Sequence, residues 1–282
     1  MDHQAEVREF LRTRRDRLTP EQAGIIGGGR RRLPGLRRDE VAMLAGMSVD
    51  YYAKMERGNL AGVSAEVLDA LARALRLDEA ETEHLLDLAR AAGPTPARRR
   101  SRPAQPTVRP SLQRFLDAIT GAPAWISNQR SDVLATNQLG HALLAPMLDD
   151  PDCGNNIARF TFLSPAARNF FPDWENVADA TAAALRTAAG RNPRDKGLSD
   201  LIGELVTRSD AFNRRWSAHG VSLHRSGSKH IRHPEVGDLE FVYERVELPD
   251  DPGLAMVAYT SAAGSSTEER IRLLGSLFAQ QP

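Results

Sequence analysis

Asp50, Lys54 and Arg57 lie within eight positions of the stretch VAMLAGMSVDYYAKMERGN, Val41 to Asn59. On a helix turning about 100° per residue they share one side, while Tyr52 and Met55 lie within about 60° of each other on the other. A carboxylate, an ammonium and a guanidinium on one exposed face accept and donate hydrogen bonds; that suits base edges and phosphates better than covalent chemistry. Asp50 and Lys54 are also an i,i+4 pair and can simply bond to each other. A second group, His219, His224, His230 and His233, falls within fifteen residues. A metal there would need convergent carboxylates or thiolates, and in a strand His230 and His233 point to opposite faces. No metal site is therefore expected, and His233 before Pro234 reads as part of a turn. No Gly-x-Ser-x-Gly elbow, His-Glu-x-x-His pair or Walker-type loop is present, so neither an enzyme nor a cofactor is expected.

These residues need elements to hold them. Ser48 is placed to cap the helix carrying Asp50 and Lys54, Gly46 supplies the turn before it, and Gly58 ends it in a left-handed conformation. Upstream, Val7, Phe10, Leu11, Arg14 and Leu18 are spaced for one helix face, and Val41, Leu44 and Ala45 mark a second helix. Downstream, Ser64 opens a helix bearing Val67, Leu68, Leu71 and Leu75. Asp78 with Glu81 forms a capping box before Leu85, Leu86 and Leu88. The reading is five short helices in about the first 90 residues, with no strand.

The whole chain has 282 residues, 41% hydrophobic and 26% charged, with zero formal net charge and one cysteine. That predicts a soluble cytoplasmic protein of one large or two ordinary domains, without disulfides and with no membrane-spanning helix. Cys153, with no clustered partners, reads as inert. The charge is uneven: Arg8 to Arg57 holds 12 basic and 7 acidic residues, so the N-terminal module suits an anionic partner. Residues 93–108, GPTPARRRSRPAQPTV, carry four prolines and four arginines and read as a linker. Three segments are expected: 1–92 helical, 93–108 linker, 109–282 a second domain. In the last, Ser111 to Thr120 reads as helix and Pro123 to Asn137 as two strands. A helix follows, then a mostly helical run from Asn176 to Arg208 broken at Gly190 and Pro193. Three strands follow between His219 and Ser261 with turns at Gly227, Gly237 and Gly253, and then a last helix. A small antiparallel sheet with helices on one side is the expected α+β architecture.

RRDEVAMLAGMSVDYYAKMERGN resembles the XRE family of helix-turn-helix regulators, the Cro and phage-repressor type. The resemblance covers about the first 92 residues. It implies an all-α DNA-binding domain in which Arg38 opens the first helix of the motif beside the DNA backbone, with Arg37 next to it among the DNA-binding residues. Val49, Asp50 and Lys54 face the bases, Ser48 caps the same helix among the DNA-binding residues, Tyr51 and Arg57 meet phosphates, and Glu56 is left for a structural ion pair. The basic loop IIGGGRRRLPG departs from the family's shorter link; Arg30 to Arg32 either track phosphate, the favoured reading, or belong to a merely flexible loop. The second half, in PAWISNQRSDVLATNQLGHALL, NIARFTFLSPAARNFFPDWE and HPEVGDLEFVYERVELPDDPGLAMVAYTSAAGS, resembles the MmyB-like ligand-binding domain. That implies a PAS-like fold around a small, lipid-like molecule. Trp125, Phe160, Phe162, Phe171, Trp174, Trp216, Phe241 and Tyr243 are the aromatics that could line an apolar pocket; any one of them could equally fill the core. The combined expectation is a homodimeric transcription regulator that binds an inverted-repeat operator in double-stranded DNA and senses an apolar or amphipathic ligand. The alternative is a second domain that only dimerises or binds a partner.

Overall fold

Leucines at helical spacing and alternating apolar runs mark two kinds of structure along the chain, while its contacts divide it into two units that each draw on separate stretches of sequence. The computed structural model describes residues 3–25, 35–93, 107–218 and 226–279. One unit comprises Met1–Arg99, Arg186–Ser199 and Arg215–Leu223; the other comprises Arg100–Leu185, Asp200–Arg214 and His224–Pro282. Arg30, Arg31 and Arg32, most of the linker, and His219 and His224 lie outside the described residues.

The first unit is built on α1 (His3–Arg17), α2 (Arg38–Leu44), α3 (Val49–Glu56), α4 (Ala65–Ala74) and α5 (Glu79–Ala92). Val7, Phe10 and Leu11 of α1 close over Val41, Tyr52, Met55, Leu71 and Leu85 in one apolar core. The α5 capping box forms as its sequence requires: Glu81 N donates to Asp78 Oδ1 (2.8 Å) and Asp78 N to Glu81 Oε2 (3.2 Å). The same buried Glu81 carboxylate meets Arg14 at 2.9 Å and Arg17 at 2.8 Å, tying α1 to α5. The inward face of α2 is Val41 and Ala42, not the expected Leu44, which is exposed with Met43. A seven-residue helix is too short for periodicity to fix its phase.

The second unit orders its strands β2-β1-β5-β4-β3, all antiparallel: β1 (Ala124–Asn128), β2 (Val133–Thr136), β3 (Ser226–His233), β4 (Gly237–Glu247) and β5 (Leu254–Thr260). Period-two alternation sends Trp125, Ile231, Leu239, Phe241, Val257 and Tyr259 into the larger core. That core is shared with α7 (Gln138–Leu148), α8 (Ile157–Leu163), α9 (Ala167–Phe170), the start of α10 (Trp174–Arg191) and α13 (Ser266–Phe278). Helices do not cover one face only, as expected from the sequence. Leu112 and Leu116 of α6 (Pro110–Asp117) pack with Ala124, Ile126 and Leu254 in a separate cluster formed by the alternate residues of β1 and β5.

Other local expectations shift for physical reasons. Gly190 does not break the helix; α10 runs through it to Arg191, and α11 (Lys196–Arg208) starts after Pro193. A Cβ at Gly190 would stand 2.6 Å from His84 Cε1, so the glycine answers a packing need. Gly227 is not a turn but lies within β3, opposite Tyr243, whose ring occupies the place of a side chain. Helices α8, α9 and α12 (Asp210–Ser217) escape the sequence pattern. No helix among the described residues is long and apolar enough to cross a membrane.

Candidate nucleic-acid interface and ligand cavity

The interface begins with a turn. Gly46 adopts φ +66° between α2 and α3, a left-handed conformation that favours glycine. Ser48 then caps α3, its Oγ accepting from Tyr51 N at 3.2 Å. Gly58 at φ +102° ends the segment, and a Cβ there would lie 2.5 Å from the Gln4 carbonyl, so this glycine also admits α1. Tyr52 and Met55 are fully buried. Burial pushes the Tyr52 hydroxyl well above its ordinary range. Tyr51 is half-buried at the edge.

On the opposite side Val49, Asp50, Lys54 and Arg57 are exposed. Among the described residues Asp50 and Lys54 form no ion pair with each other, so both remain available to an outside partner. Arg37 is exposed at the N-cap of α2, where its backbone N donates to Glu40 Oε2 at 2.7 Å. Arg38 is exposed as well, but its Nε donates to Glu56 Oε2 at 2.7 Å. Glu56 is buried and also takes Arg15 at 3.0 Å, as the structural role expected for it requires. The Glu56 hydrogen bond raises the Arg38 pKa. The hydrogen bond is made through Nε and fixes the direction of the guanidinium. Sequence reasoning missed the exposure of Met43, which is 63% exposed, and of Leu44 on α2. Arg38→Ala is expected to weaken binding to all duplexes alike and to lower the salt slope by about one ion, as read by anisotropy titrations at several salt concentrations.

The second unit contains a cavity of about 630 Å³. Leu139, Phe241, Tyr259 and Ile271 give its apolar walls, and Asp117, Glu268 and Arg272 stand among its polar lining. Asn137 holds the adjoining wall: its Oδ1 accepts from Ala124 N and Gly140 N, and its Nδ2 donates to the Ile119 and Ala122 carbonyls. Of the aromatics named from sequence, Phe241 lines the cavity and stacks 5.3 Å from Tyr259. Trp125 meets Tyr259 edge-on at 4.7 Å, and Tyr243 lies 5.8 Å from it. Phe160 and Phe171 pack with Phe170 in the core, and Phe162 with Trp174 and Phe212. Trp174 Nε1 donates to the Thr161 carbonyl at 2.8 Å. Trp216 belongs to the first unit, where Arg186 stacks on it at 3.9 Å; it does not join the others.

Tyr259, not singled out from sequence, is 8% exposed, and its hydroxyl has no hydrogen-bond partner among the described residues. Trp125 Nε1 is buried without a hydrogen-bond partner among the described residues. Burial raises the Tyr259 pKa above the ordinary phenol range, so it stays a neutral donor and acceptor.

His233 ends β3 rather than joining a turn. It is buried, its Nε2 donates to the Ala142 carbonyl at 3.2 Å, and its Nδ1 accepts from Glu235 N. Burial lowers its pKa, outweighing the Ala142 hydrogen bond, which fits a neutral structural imidazole. Burial, with the hydrogen bond to Asp150, likewise pushes the Cys153 thiol up to about 12, which disfavours the thiolate.

Comparison with known families agrees with both halves. Residues 6–85 match the family model of a helix-turn-helix domain, and residues 108–274 match that of the MmyB-like transcription regulator ligand binding domain. No curated protein matches the chain. With that second match covering more than half of its length, the chain belongs to the MmyB-like family of DNA-binding transcription regulators.

Proposed function

We propose that this protein is a ligand-responsive regulator in which α3 of an XRE-type domain enters the major groove. The observation that carries this reading is the two-faced α3. Tyr52 and Met55 are buried, while Val49, Asp50 and Lys54 are exposed across one outward face, unpaired among the described residues. Lys54 donates to guanine O6 and N7, Asp50 accepts from cytosine N4, and Val49 meets a thymine methyl. Ser48, Tyr51, Arg57, Arg37 and Arg38 set the register on phosphates. Two copies of the chain, acting in the cytoplasm as a homodimer, read the halves of an inverted repeat.

The second unit then acts as a PAS-like sensor. Three features support a small amphipathic, lipid-like ligand: the antiparallel sheet, the cavity against Phe241 and Tyr259, and the Tyr259 hydroxyl, which has no partner among the described residues. The apolar part lies on Phe241, Tyr259 and Ile271, and the polar end meets the side of Asp117 and Arg272. Solvent extraction of the purified protein followed by mass spectrometry tests this. One molecule co-purifying in stoichiometric amount, whose removal changes operator affinity, supports the sensor. Equal operator affinity with and without it assigns this unit to assembly alone. Tyr259→Phe is expected to weaken the retained molecule about two- to twelvefold in a displacement titration, the worth of one neutral hydrogen bond.

A further inference from the structure

All but three of the 37 basic residues are arginine; the lysines are Lys54, Lys196 and Lys229. Lys54 and Lys196 are exposed. Lys229 sits in the middle of β3, directly opposite Phe241, a residue that lines the cavity. Paired residues in an antiparallel ladder share a face, so the lysine points to the side of the larger core with Ile231 and His233, both buried there. Its Nζ lies 5.9 Å from the centre of the Phe171 ring and 5.8 Å from that of Tyr243.

The backbone makes room for this arrangement. A Cβ at Gly227, two residues before Lys229, would stand 3.1 Å from Tyr243 Cε1, so the glycine lets that ring lie against the strand. Among the described residues Lys229 has no ion pair and no hydrogen-bond partner for its amine. It is half-buried on an edge strand, which leaves a way in. Burial lowers its pKa, and Asp173 opposes that only through its charge. An arginine here would stay charged and could not act as a nucleophile, whereas a desolvated lysine exposes a lone pair.

We propose that Lys229 captures a carbonyl compound: an aldehyde or ketone seated against Phe171, Tyr243 and Phe241 condenses with Nζ to form a reversible imine. The nitrogen lone pair attacks the carbonyl carbon, and a proton passes from nitrogen to oxygen to give the carbinolamine. Loss of water then leaves the C=N bond, and the same water added back releases the ligand. No oxidant or reductant takes part. The proposal rests on the reading of the second unit as a ligand-binding domain, and it places a carbonyl ligand at the sheet edge beside the cavity residue Phe241, since Lys229, Phe171 and Tyr243 are not among the residues lining the cavity itself.

The test uses the full-length protein with cinnamaldehyde and sodium cyanoborohydride at neutral pH, with peptide mapping by mass spectrometry. Burial lowers the Lys229 pKa and so raises its neutral fraction, and Lys229 is expected to label faster than Lys54 and Lys196 at the same pH. Excess cinnamyl alcohol, which has no carbonyl, should slow labelling at Lys229 alone. Lys229→Arg, with an unchanged circular dichroism spectrum, should lose the fast site. Labelling of Lys229 no faster than the other lysines overturns the proposal in the wild-type protein itself. Should cinnamyl alcohol nevertheless quench the tryptophan fluorescence saturably, the imine fails while the ligand-binding reading stands.

Discussion

Glu81→Gln is expected to lower the unfolding free energy of the helical unit by about 3–5 kcal/mol, the usual consequence of stranding one member of a buried ion pair. Glutamine keeps the volume and can still close the capping box with Asp78. What it removes is the charge that compensates Arg14, whose side chain is only 4% exposed. Burial lowers the Arg14 pKa even though Glu81 opposes this, showing how poorly the site tolerates an unmatched cation. Guanidinium unfolding followed by circular dichroism reads the difference. The pH dependence follows from the same residue. Burial pushes the Glu81 carboxyl up, but its hydrogen bonds from Arg17 and the charge of Arg14 outweigh that, and its pKa ends below the ordinary value. A carboxylate depressed on folding contributes stability that is fully present above its unfolded pKa, about 4.3, and is lost as pH falls through the folded value. The wild type should lose stability through that acid window, and the Gln variant should show a flatter acid limb.

Lys54→Ala is expected to cost roughly 1–3 kcal/mol of discrimination at one base pair of each half-site while leaving affinity for unrelated duplexes nearly unchanged. Lys54 is exposed in the last turn of α3, with Tyr52 and Met55 anchoring the face behind it. Its removal therefore changes a contact and not the fold. Competition titrations against single-base operator variants measure the effect. A uniform loss across all duplexes would place Lys54 on phosphate instead.

The helical half is legible in the sequence because its signals are local. Val7, Phe10 and Leu11 repeat at helical spacing, Asp78 and Glu81 sit three apart, and Gly46 and Gly58 stand where the chain needs positive φ. The place of Glu56 near the packed face assigns it to an ion pair, but not its partners, because Arg15 and Arg38 reach it from other helices. Leu44 faces outward against expectation because α2 has too few turns to fix its phase. In the second half the signals are non-local. Tyr259 matters through Trp125 and Phe241, which lie on two other strands, and alternation in LAMVAYT gives its face without its neighbours. Gly227 reads as a turn until the Tyr243 ring across the ladder explains it. Trp216 reads as one more pocket aromatic, yet its partner is the buried guanidinium of Arg186.

The central claim is that the outward face of α3 reads base sequence. Selection from a pool of random duplexes, run with the wild type and with a variant carrying Val49→Ala, Asp50→Ala and Lys54→Ala, tests it most directly. The wild type should enrich a motif of two half-sites about one helical turn apart. The triple variant should keep salt-dependent affinity from Arg37, Arg38 and Arg57 and lose the base preferences. Enrichment of the same motif by both proteins would contradict the account.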